Sequence, residues 1–69
     1  MTPMQPLPRL EHLRERAGLT QSLLARRAGI SSAVIRRAEN GAAVFPDTMR
    51  ALARALGVAV EDLLAESQP

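Results

Sequence analysis

The sequence predicts an all-α domain, a compact bundle of five helices, and three observations carry that prediction. Alanine, leucine and arginine dominate while Phe45 is the sole aromatic, so the core must be aliphatic and the composition favours helix. Apolar residues follow the i, i+3, i+4, i+7 spacing of one helix face, with Leu24, Ala25 and Ala28 in one segment and Val34, Ile35 and Ala38 in the next, where the small polar Ser31 stands at the first position of the pattern. Glycine stands three times in one local pattern, Ala17-Gly18-Leu19, Ala28-Gly29-Ile30 and Leu56-Gly57-Val58. There a left-handed glycine ends a helix and the apolar residue after it folds back on the last turn.

Each element follows in order. Residues 1–7, with Pro3 and Pro6 and no periodicity, read as a disordered N-terminal arm. Pro8 suits the first position of a helix that runs to about Ala17, with Leu10, Leu13 and Ala17 inward, Glu11 close enough to pair with Arg14, and His12 an ordinary surface histidine. Thr20 and Ser31 are good N-caps, which places a second helix at about 21–28 and a third at about 32–40. Pro46 and Asp47 read as a turn and an N-cap for a fourth helix, Thr48 to Leu56, with Met49, Leu52, Ala53 and Leu56 inward. A weaker fifth helix, Val60 to Glu66, carries Val60, Leu63 and Leu64 on one side, and Ala59 stands where a capping side chain is expected. Residues 67–69 should fray, leaving one domain over residues 8–66.

Composition excludes several classes of function. A chain of 69 residues allows one domain, and folding at this size buries only about 60% of the surface of the unfolded chain. Cysteine is absent, which removes disulfides and thiolate chemistry and makes a reducing cytosol the natural compartment; one histidine is too few for a metal cluster. No metal or cofactor is expected. No nucleophile has a base beside it, no carboxylate pair suits a pocket and no glycine loop could cradle phosphate, so the expectation is a protein that is not an enzyme. There is neither an apolar run of about 18 residues nor a signal-peptide core, so no membrane association is expected and the location is cytoplasmic, on the nucleoid.

The net charge of +2 understates the local picture, because all nine basic residues are arginine and four of them, Arg26, Arg27, Arg36 and Arg37, lie between Thr20 and Gly41. On the third helix Ala33, Arg36, Arg37 and Asn40 form the stripe opposite the apolar face. Two guanidiniums, an amide and a small residue on one helix face could read nucleic acid, whereas the plainer reading is a solvated face.

Gly18-Leu19-Thr20-Gln21, Leu24-Ala25, Ala28-Gly29-Ile30-Ser31, Val34-Ile35, Glu39-Asn40-Gly41, Pro46, Leu52 to Val58 and Leu63-Leu64 together resemble, in order and spacing, the lambda-repressor-like helix-turn-helix domain, also called the Cro/CI or XRE type. The resemblance covers about Leu10 to Leu64. It implies that the second and third helices form the helix-turn-helix and that the third lies in the major groove of double-stranded DNA. Carried residue by residue, it implies Ser32, Ala33 and Arg37 as base-reading positions with Arg36 beside them, and Thr20, Gln21 and Asn40 against phosphate. It implies an ion pair between Arg14 and Glu39, and a homodimer surface around Val58, Val60, Leu63 and Leu64.

The sequence departs from that pattern in two places. Leu23 stands where the family commonly has an acidic residue, so the reciprocal capping box is lost. The loop Ala42 to Phe45 is apolar where relatives carry basic residues, which predicts fewer phosphate contacts and a shallower salt dependence. Val44 and Phe45 are expected to cover the core, with a dimer contact as the alternative for Phe45. The expected function is a sequence-specific transcriptional regulator, a repressor acting as a homodimer on a pseudo-palindromic operator in a bacterium or phage. The alternative is a protein-interaction module on the same scaffold, an antitoxin or anti-regulator, binding a partner through Leu23, Val44 or Phe45.

Overall fold

A computed structural model describes residues 4–64, which form five helices: α1 (Leu10–Arg16), α2 (Gln21–Ala28), α3 (Ser32–Glu39), α4 (Pro46–Leu56) and α5 (Val60–Leu64). Each helix sends one fully buried aliphatic side chain to the centre: Leu10, Leu24, Ile35, Leu52 and Leu63 in turn. α2 packs on both α3 and α4, α1 packs on α3, and α5 closes against α4. One small core is thus shared by five short helices, none of which could bury its apolar face alone.

The helix-turn-helix is set by local punctuation. The Thr20 hydroxyl accepts the Leu23 N–H (3.1 Å) and the Ser31 hydroxyl accepts the Val34 N–H (3.3 Å), which fixes the first turns of α2 and α3. Between them Gly29 adopts φ 73°, and the Ile30 N–H returns to the Ala25 carbonyl at 3.0 Å, closing α2.

The N-terminal arm differs from its expectation. Gln5 and Val44 exchange both backbone hydrogen bonds, 3.0 and 2.8 Å, as an isolated antiparallel bridge, and Leu7 is 2% exposed within the core. Residues 5–7 are therefore anchored; Met1 to Pro3 lie outside the described residues. Pro8 precedes α1 instead of opening it, because the Leu10 N–H turns back to the Leu7 carbonyl (3.1 Å) and Arg9 takes the cap position. Ala17, expected inward, is exposed at the C-cap of α1.

The same bridge corrects Phe45. Val44 is extended, so its side chain and the next point to opposite faces. Val44 goes in at 6% exposure and Phe45 comes out at 59%, so Phe45 does not cover the core. Phe45 serves as the backbone N-cap of α4, and Pro46, whose ring presets a helical φ, is its first residue. Asp47 is consequently inside the first turn, where it pairs with Arg50.

α5 begins without a side chain at its cap, as Ala59 foretold, but the Asp62 carboxylate reaches back to accept the Ala59 N–H at 3.1 Å. The remainder of the expected fifth helix, residues 65 and 66, and the tail 67–69 lie outside the described residues. No helix among the described residues is long and apolar enough to cross a membrane.

Candidate nucleic-acid interface

α3 is two-sided. Ile35 and Ala38 are buried, while Arg36, Arg37 and Asn40 are exposed and Ser32, Ala33 and Val34 are half-buried. Ser32 is the first residue of the helix, so its side chain sits at the N-terminal end of this face and the arginines follow one turn later. Arg37 also edges a shallow groove of about 270 Å³ whose walls include Val34, Val44, Phe45 and Thr48. Arg26 and Arg27 are exposed in the last turn of α2, where cations favour the helix dipole.

Beside this face lies a polar cluster. Arg14 of α1 donates through Nε to Glu39 Oε2 (2.6 Å) and through Nη2 to Oε1 (3.2 Å), a bidentate pair in which the side chains are 12% and 5% exposed. Its Nη1 donates to the Leu19 carbonyl at 2.8 Å, tying the α1–α2 turn to the same guanidinium. The arginine is thereby occupied, and Glu11, expected to meet it on the surface, makes no hydrogen bond to it. The hydrogen bonds that Arg14 donates to Glu39 raise the Arg14 pKa above the ordinary arginine value, against desolvation, which lowers it. Gln21 joins the cluster: its Nε2 donates to Glu39 Oε1 at 2.8 Å. Nothing in the sequence links Gln21 to the ion pair; their shared acceptor, Glu39, makes the connection. No buried side-chain polar atom among the described residues lacks a partner.

The dimer candidates divide. Leu63 is fully buried in the core and cannot be an intersubunit contact, because its place on the short α5 faces inward beneath α1, where its carbonyl accepts the Arg9 N–H (3.4 Å). Val58, Val60 and Leu64 are half-buried against that core. Leu23 is 44% exposed. Among the described residues no three His, Asp or Glu side chains converge as metal ligands.

A sequence comparison with curated proteins finds no match. Among solved structures, a point variant of hydroxyethylphosphonate dioxygenase matches with a TM-score of 0.76 at 25% identity, over 97% of this chain and 15% of that one. That match overturns the expectation that separated this protein from enzymes, since the same fold occurs as a small part of an enzyme's chain. The chain spans about one seventh of that protein, so the likeness concerns the module alone. The profile of the helix-turn-helix domain family matches residues 9–66, a span containing all five helices and both caps of the central motif. With α2 and α3 arranged about the Gly29 turn and an arginine-bearing face on α3, the chain belongs to the helix-turn-helix domain family.

Proposed function

We propose that the protein is a sequence-specific regulator that binds double-stranded DNA, with α3 in the major groove and two copies on a pseudo-palindromic operator. The two-sided α3 carries this reading: Ile35 and Ala38 anchor the helix while Arg36, Arg37 and Asn40 stay in solvent. Arg37 and Arg36 supply base recognition, since a guanidinium binds guanine O6 and N7 bidentately. Ser32 and Ala33 lie beside them, and Thr20, Gln21 and Asn40 meet phosphate. A single module reads few base pairs, so a homodimer spanning half-sites about 34–36 Å apart supplies the rest. Val58, Val60 and Leu64 are its candidate contacts. Steric occlusion of an operator makes repression the natural output, on the nucleoid in the cytoplasm.

Selection of bound duplexes from random double-stranded DNA tests this. The expected outcome is a symmetric motif with guanine in each half-site and two chains per duplex by mass. Arg37→Ala should remove preference at one base pair, a loss of about 1–3 kcal/mol of discrimination. No enriched motif, or unchanged preference at every position in the variant, rejects the reading.

A protein-interaction module is the second reading, favoured by the exposure of Phe45 (59%) and Met4 (47%) beside one groove. It predicts no DNA binding and a stable complex with another protein that Phe45→Ala abolishes.

A further inference from the structure

We propose that Glu39 is a positioning residue for DNA binding: its carboxylate fixes the amide of Gln21 so that the start of α2 meets a phosphate with a preset N–H donor. The proposal rests on the DNA-binding reading above.

Glu39 ends α3 with its side chain 5% exposed, and it receives three N–H groups, two from Arg14 and one from Gln21. An ionised carboxylate only accepts, so the Gln21 amide must turn its nitrogen inward; the reversed amide would set oxygen against oxygen. Amide nitrogen has two N–H donors, and only one is used here. The second is therefore held in a defined direction before any ligand arrives, which removes the ordering cost that a free glutamine would bring to binding. A carboxylate near a phosphate site would ordinarily repel it, but the bidentate guanidinium of Arg14 neutralises this one. The same guanidinium grips the Leu19 carbonyl, so the turn leading into α2 is located by the same group that locates Glu39. Clamp, turn and recognition helix thus share one reference point.

Two measurements test this. In the free wild-type protein, nuclear magnetic resonance should show the two Gln21 side-chain amide protons exchanging at different rates, with Overhauser contacts to the Glu39 side chain. Affinity for a selected duplex is then compared for wild type, Gln21→Ala, Glu39→Gln and the double variant, with folding checked by circular dichroism. Gln21→Ala should weaken binding about tenfold, the loss of one charge-assisted hydrogen bond. Glu39→Gln should weaken binding in the wild-type background and have no further effect once Gln21 is gone. Equal factors in the two backgrounds overturn the proposal while leaving DNA binding intact. Should Glu39→Gln fail to fold, averaged and freely exchanging Gln21 protons in the wild type overturn it alone. Absence of binding to any duplex by the wild type overturns both this proposal and the reading beneath it.

Discussion

The protein contains two arginine–carboxylate pairs among its described residues, and they differ in almost everything except their chemistry. Arg14 and Glu39 join the first helix to the third, with side chains 12% and 5% exposed. Asp47 and Arg50 are three residues apart on one helix, with side chains 92% and 59% exposed. In the first pair both side chains are largely shielded from water and depend on each other and on Gln21 and Leu19. In the second, water and salt compete freely for each charge. The lesson is that a pair matters through what its loss would strand.

The sharpest way to break this comparison is Arg14→Ala, which leaves the Glu39 carboxylate buried with one remaining N–H partner. The expected destabilisation is about 3–5 kcal/mol, read from the midpoint of denaturant unfolding at unchanged slope. Since the Arg14 pKa is raised on folding, its contribution is complete below the ordinary arginine range and is lost only as pH rises through the raised value. The arginine side of the pair should therefore show no titration near neutrality. Thr20→Ala is an intermediate case, removing one cap from a solvent-facing helix end at a cost of about 1 kcal/mol. Asp47→Ala should cost no more than about 1 kcal/mol, falling towards zero as salt is raised. If Arg14→Ala and Asp47→Ala unfold at the same midpoint, burial does not distinguish the pairs.

How far the sequence discloses the fold depends on how local the governing interaction is. The limits of α2, residues 21–28, are legible because Thr20 and Gly29 stand immediately at its two ends and act within one turn. The start of α4 is read two residues too far on, because Asp47 looks like a cap while Phe45 caps through its backbone alone. The arm, the outward turn of Phe45 and the fate of Leu7 all depend on the Gln5–Val44 bridge, a pairing between distant segments with no local signature. Leu63 is misjudged for another reason. A resemblance assigns a segment to an interface, whereas only the helical phase decides which side chain on that segment faces outward. At the candidate interface, the buried and exposed sides of α3 follow from periodicity, but the Gln21–Glu39 bond requires knowing how α2 crosses α3.

The Gln5–Val44 bridge has a mechanical consequence. By fastening the segment before α1 to the segment before α4, it turns the stretch carrying α1, α2 and α3 into a loop tied at both ends. The pair α2 and α3 is therefore not a hairpin attached at one side only. Two backbone hydrogen bonds thus close the frame that also holds α2 against α4, as a clasp closes the frame around a lens.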